Sequence, residues 1–253
     1  MIIRPNRVKD RLRRGQHALC FAAWGYSGAD HLERLAPMQP DGVWLEGEHG
    51  DASFSDLANL TRAIDLIGAT PIIRVHQNEG GVIYRCLDLG AMGIVVPHVN
   101  SRDEAEAVVQ GGKFWPIGKR GSYTSRQGIG VADYHDLAND QTMLIVLIED
   151  VIAVDNLDEI LDVDHIDVFF VAPGDLAQTM GLPGKAGDPG VQRVVDETLG
   201  RIVKRGRTAG ALVTQANAAH LYDLGVRFFM SGPAEWLEAG FRRLDQAAAG
   251  GGA

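Results

Sequence analysis

At 253 residues the chain has the length of one (β/α)8 barrel, about 250 residues, and enough material to bury a single large core. Its 45% hydrophobic and 23% charged residues exclude a disordered or fibrous chain. A net charge of −9, relieved locally only at Arg11 to Arg14, argues against nucleic acid as a partner, and no apolar run reaches the roughly 18 residues of a membrane span.

In chain order, short apolar runs alternate with helical patterns. Residues 1–14 hold no apolar stretch of the kind a secretory signal needs, and Arg11, Arg13 and Arg14 read as a solvated helix face. Predicted strands follow at Ala18–Trp24, Val43–Leu45 and Pro71–Val75. Between the last two, Leu57, Leu60, Ile64 and Ile67 recur with the helical period and stop at Gly68, where a helix C-terminal glycine belongs. Val82, Ile83, Cys86 and Leu87 form the next stripe, closed by Gly90. Cys20 and Cys86, both inside apolar runs, read as buried free thiols of a reducing compartment, so a cytoplasmic protein is expected.

The fourth strand is predicted at Ile94–Pro97, and Ser101-x-x-Glu104 is a capping box that opens a helix ending near Gly111. From Gly111 to Gln141 the chain is too long for a simple helix-to-strand connection, and its polar segment 118–126 reads as a functional or mobile loop. Gly128-Ile129-Gly130 has neither a preceding strand nor a third glycine, so no nucleotide site is expected. Strands at Leu144–Ile148, Val168–Val171, Ala209–Val213 and Phe228–Ser231 complete eight. A last helix carries Trp236, Leu237, Phe241 and Leu244, and residues 247–253, only Ala and Gly, read as a disordered tail. Eight strands separated by helices, with no linker, favour one closed (β/α)8 TIM barrel over residues 1–246 rather than an open doubly wound sheet.

The C-terminal ends of barrel strands build the active site. There the sequence puts Glu46-Gly47-Glu48-His49 after strand two, Arg74 at the end of strand three, Glu149-Asp150 after strand five and Asp175 after strand six. Singly, Glu149 also reads as a helix N-terminal carboxylate, and His49 as a histidine satisfying a turn. Converging on one rim, they describe a site. Glu149 and Asp175 offer hard oxygen ligands for Mg²⁺ or Mn²⁺, and the scattered histidines and absent cysteine cluster argue against zinc. A 2-oxo acid could chelate such an ion, with Arg74 adding a fixed cation and His49 a base near neutrality. Gly174 and Asp175 begin a helix whose free amides can hold a carboxylate. His98 is a further rim residue. Lys113, Lys119, Lys185 and Lys204 fall outside the strand ends, so no Schiff base is expected.

At these residues the chain resembles the HpcH/HpaI family of class II pyruvate aldolases. The similarity runs through Arg11-Leu12-Arg13, Glu46-Gly47-Glu48-His49, Pro71-Ile72-Ile73-Arg74, Leu87-Asp88-Leu89-Gly90-Ala91, Pro97-His98-Val99, Gly118-Lys119-Arg120-Gly121, Ile148-Glu149 and Ala172-Pro173-Gly174-Asp175-Leu176. The resemblance implies that Glu149 and Asp175 bind a divalent metal (Mg²⁺, Mn²⁺ or Co²⁺) and that Arg74 touches the pyruvate ketone. It also implies that His49 belongs to the base and that the Gly174 and Asp175 amides hold the carboxylate. Asp88 would reach a neighbouring subunit's site in a homo-oligomer, commonly a hexamer, with the last helix packing on another subunit. The family commonly has Asp where this chain has Glu46, a carboxylate that supports the histidine, and Trp24 and Trp44 are bulky for their positions.

The function so implied is a lyase that reversibly cleaves a 4-hydroxy-2-oxo acid to pyruvate or hydroxypyruvate and an aldehyde. Two enzymatic rivals on the same scaffold are an oxaloacetate decarboxylase and an acyl-CoA lyase, the latter without an evident basic phosphate site. A third rival is a noncatalytic 2-oxo-acid binding protein, should Glu46 disable the base.

Overall fold

The computed structural model describes residues 2–250. Eight strands, β1 (Ala18–Ala22), β2 (Gly42–Glu46), β3 (Thr70–Arg74), β4 (Gly93–Val96), β5 (Met143–Ile148), β6 (Val168–Val171), β7 (Ala209–Leu212) and β8 (Phe228–Ser231), pair in parallel with their sequence neighbours. Parallel pairing of β8 with β1 closes the barrel. Around it run α1 (Arg7–Arg13), α2 (Ala29–Glu33), α3 (Phe54–Leu66), α4 (Gly80–Asp88), α5 (Arg102–Gly112), α6 (Tyr134–Gln141), α7 (Val151–Asp155), α8 (Leu157–Leu161), α9 (Pro173–Thr179), α10 (Pro189–Lys204), α11 (Ala218–Leu224) and α12 (Pro233–Gly250). This is a (β/α)8 TIM barrel. Strand ends lie within two residues of the expected ones, and β6 and β8 match at both ends; β1 stops at Ala22, and Trp24 lies in the turn beyond it.

Strand alternation divides the core in two and thereby places the site. Cys20, Trp44, Ile72, Val95, Ile145, Leu147, Phe170 and Met230 point inward as one buried cluster. Their neighbours Phe21, Val43, Leu45, Ile73, Ile94, Val146 and Phe169 point outward beneath the helices as another. Continuing the inward rows of β2, β3 and β5 by one step each reaches Glu46, Arg74 and Glu149, so three polar side chains arrive together above an apolar plug. Trp44, 1% exposed, packs against Phe170 with ring centroids 5.3 Å apart and planes tilted by 57°, and forms the top of that plug, directly below Glu46. The opposite end is stoppered by Val8 of α1, and Gly42 is needed there because a Cβ would lie 2.9 Å from Cys20 Sγ.

The local signals fall where helix chemistry put them. Gly68, at φ +73, follows α3, and Ser101 Oγ accepts from the Glu104 amide, while the Glu104 carboxylate turns to the Asn100 amide. The long stretch before β5 is tied down as well as containing α6. Arg126 pairs with Asp65, Gln127 donates to Gly90 O at 2.9 Å, and the Tyr134 hydroxyl donates to Ser125 Oγ. The tail expected from residue 247 begins inside α12, which runs to Gly250 because alanine is the strongest helix former; residues 251–253 lie outside the described residues. Among the described residues, no helix is long and apolar enough to cross a membrane.

Candidate active site

A cavity of about 390 Å³ opens at the C-terminal end of the barrel, floored by Trp44, Leu147 and Phe170. Trp24, Glu46, His49, Arg74, Gly174 and Asp175 are among its walls. Five of the residues expected from the sequence therefore share one chamber, and Glu149 adjoins it. Apolar walls around a few charged groups suit a ligand that must be both desolvated and oriented.

Arg74 is the fixed cation of the chamber. Its Nε donates to both Glu46 oxygens, at 3.0 and 2.8 Å, and its Nη1 lies 3.0 Å from Glu48 Oε2. The guanidinium carbon sits 5.8 Å from the centre of the Trp24 ring. Burial to 7% exposure makes this grip strong, because a buried charge without a partner would cost several kcal/mol.

Glu46 does not support the His49 ring, as the resemblance implied. Its carboxylate accepts from the Glu48 and His49 amides at 2.8 and 3.0 Å and from Arg74. The physical reason is competition: the carboxylate is spent on the guanidinium and on folding back the loop at Gly47. The His49 ring, on an exposed residue, makes no hydrogen bond among the described residues and is free to meet water or substrate.

Glu149 is 1% exposed, and its Oε1 accepts the His98 amide at 2.9 Å. Its Oε2 is buried with no partner. Burial pushes the Glu149 carboxyl up to about 7, opposed by the His98 amide and ring; nearby Asp175 pushes the same way as burial, and Arg74 the other way. An orphaned carboxylate oxygen on a group that also feels the charge of a second carboxylate is what a cation would satisfy. No group of three or more His, Cys, Asp or Glu side chains capable of holding a metal occurs among the described residues. Two carboxylates alone suit a hard divalent ion that retains waters and takes substrate oxygens, and do not suit zinc.

His98 has left-handed backbone, φ +52, which is unusual for a residue with a Cβ and turns its amide onto Glu149. Its ring lies 3.5 Å from Glu149 and 3.7 Å from Glu48. Glu48 received no role from the sequence: it stands beyond the end of β2, in a bend where strand alternation no longer says which way a side chain points.

Asp88 lies elsewhere. It ends α4 just before β4 begins, hence at the N-terminal end of the barrel, paired with buried Arg120 at 2.8 Å. Lys113 is also at that end, donating to Asn139 O and Thr142 O, and burial lowers its amine to about 7. A lowered lysine there cannot trap a carbonyl in the cavity.

Residues 20–232 match the family model described as HpcH/HpaI aldolase/citrate lyase. The 2-keto-3-deoxy-L-rhamnonate aldolase of Escherichia coli O17:K52:H18 is 33% identical over 220 residues, covering 85% of this chain and 81% of that one. An HpcH/HpaI aldolase/citrate lyase family protein of Burkholderia cenocepacia J2315 superposes with TM-score 0.87 at 28% identity, covering 96% of this chain and 99% of that one. The citrate synthase SbnG is also 28% identical, with TM-score 0.83 and 97% of each chain covered.

Proposed function

Because the chain belongs to the HpcH/HpaI aldolase/citrate lyase family, whose members are carbon–carbon lyases, we propose that it reversibly cleaves a 4-hydroxy-2-oxo acid to pyruvate, or hydroxypyruvate, and an aldehyde. The observation that carries this reading is the orphaned Glu149 Oε2, buried near Asp175 and Arg74. Glu149 and Asp175 would hold a divalent ion, Mg²⁺, Mn²⁺ or Co²⁺, which supplies Lewis acidity toward the carboxylate and ketone oxygens of a 2-oxo acid.

Each residue then has one task. Arg74 donates toward the ketone oxygen and stabilises the negative charge that develops there as the C3–C4 bond breaks. His49, directly or through a water, takes the proton from the 4-hydroxyl as the aldehyde leaves. The first-turn amides of Gly174 and Asp175 meet the carboxylate; the helix has no side-chain cap, and the space above Gly174 is open. The buried Cys20 and Cys86 thiols, the latter pushed up to about 12 by burial, suit a reducing, cytoplasmic setting. A screen of aldehydes against pyruvate and hydroxypyruvate, with the ion and after chelation, tests the function. Condensation only with the ion supports it, whereas ion-independent condensation, or turnover of oxaloacetate or an acyl-CoA alone, contradicts it.

The same reading includes self-association. Beside β8 and β1 a cavity of about 610 Å³ is lined by Leu19, Tyr222, Phe229 and Trp236. Leu19, on a barrel strand, remains 41% exposed, and α12 stands away with Leu237, Phe241 and Leu244 exposed. The missing cover and the unused apolar stripe are complementary, so α12 of a second copy is the occupant proposed for this groove. Sedimentation should show an oligomer that a Phe241→Glu, Leu244→Glu variant reduces to monomer; a monomeric parent protein would contradict the assignment.

A further inference from the structure

Arg74 carries five N–H donors, and one carboxylate would suffice to neutralise it. The structure supplies two. Glu46 accepts from Nε, the Glu48 carboxylate lies 3.0 Å from Nη1 and the Trp24 ring lies 5.8 Å from the guanidinium carbon, so the Nη2 edge is the one the two carboxylates leave unclaimed. Glu48 is itself nearly dry, with its side chain 10% exposed. Burying a second anion beside the first is unfavourable for stability, so the place of Glu48 is read for what it does to the geometry of Arg74.

We propose that Glu48 is a positioning residue: with its carboxylate beside Nη1 it gives the planar guanidinium a second anchor, away from Nε, and so keeps the Nη2 edge turned to the ketone oxygen of the 2-oxo acid. Glu46 meets the guanidinium only at Nε, so without Glu48 the terminal nitrogens would be held from that one point. The division of labour in the site makes the role separable from metal binding. Glu149 is held by the His98 main-chain amide, which the loop conformation fixes, whereas Arg74 depends on side chains. Glu48 contacts the metal side only through the 3.7 Å approach of the His98 ring. Removing Glu48 should therefore loosen the substrate arginine and leave the Glu149–Asp175 pair in place.

This inference rests on the function proposed above, and its test separates the two. Mn²⁺ binding is followed by the electron paramagnetic resonance of the free ion, and oxalate, a planar dianion that mimics the cleaved 2-oxo acid, is titrated calorimetrically into the Mn²⁺-loaded protein. The parent should bind both. Glu48→Ala should bind Mn²⁺ as the parent does and bind oxalate about 10-fold or more weakly, the scale on which supporting residues act. Glu48→Asp, which keeps the charge but draws it back by one methylene, should behave like Glu48→Ala and decides the matter if the alanine variant does not fold. Oxalate affinity equal to the parent's in a folded variant overturns the role, as does a parallel loss of Mn²⁺ affinity, which would mark Glu48 as merely structural. A parent protein that binds Mn²⁺ but not oxalate overturns the function and this inference with it.

Discussion

Arg74→Lys should stay folded, bind the divalent ion as the parent does, and lose roughly 10²-fold or more in kcat, the scale on which a preorganised charge stabiliser acts. Lysine keeps the positive charge that Glu46 and Glu48 need, so neither buried carboxylate is stranded. It does not keep the planar fork. A single ammonium cannot face Glu46, Glu48 and a ketone oxygen at once with fixed geometry, and the substrate contact is the one least held by the protein. Steady-state kinetics with thermal unfolding as a control checks this. A folded, ion-loaded variant with near-parent kcat would remove Arg74 from the chemistry.

Glu149→Gln should be the second severe loss, and for a different reason. The amide oxygen can still accept the His98 N–H, and a buried charge disappears, so the melting temperature should not fall. The orphaned Oε2 is replaced by a donor group, which repels a cation. Mn²⁺ affinity should therefore weaken by at least about 10²-fold, the upper range for losing even an outer-shell partner, and activity should fall with it. A variant with parent-like Mn²⁺ affinity would mean that the ion, if any, sits elsewhere.

The barrel was legible because β/α alternation is a repeating signal, and eight apolar runs leave little topological freedom. The position of Arg74 was legible for the same reason: it ends a strand. Glu48 was not, because the chain beyond Glu46 reads as a loop, and only the coordinates show that loop folding back so that its carboxylate lies beside Arg74. Nor was the use made of Glu46, since sequence gives a carboxylate near a histidine but not the guanidinium that reaches it first from the neighbouring strand. The groove beside β8 and β1 was invisible for a plainer reason. An apolar stripe on the last helix looks the same whether it folds back on its own barrel or stands away from it, and here it stands away. Lys113 gives the opposite lesson, because a perturbed lysine marks a functional candidate only when it lies at the right end of the strands.

The central claim is that Glu149, Asp175 and Arg74 together stabilise negative charge on a 2-oxo acid. It is tested most directly by following the methyl protons of pyruvate in deuterated water by NMR, with no aldehyde present. With Mg²⁺ or Mn²⁺ the protein should exchange those protons for deuterium, and a chelator should stop the exchange until the ion is restored. Protons that stay in place on an ion-loaded, folded protein, or that exchange equally fast in verified metal-free protein, would contradict the account.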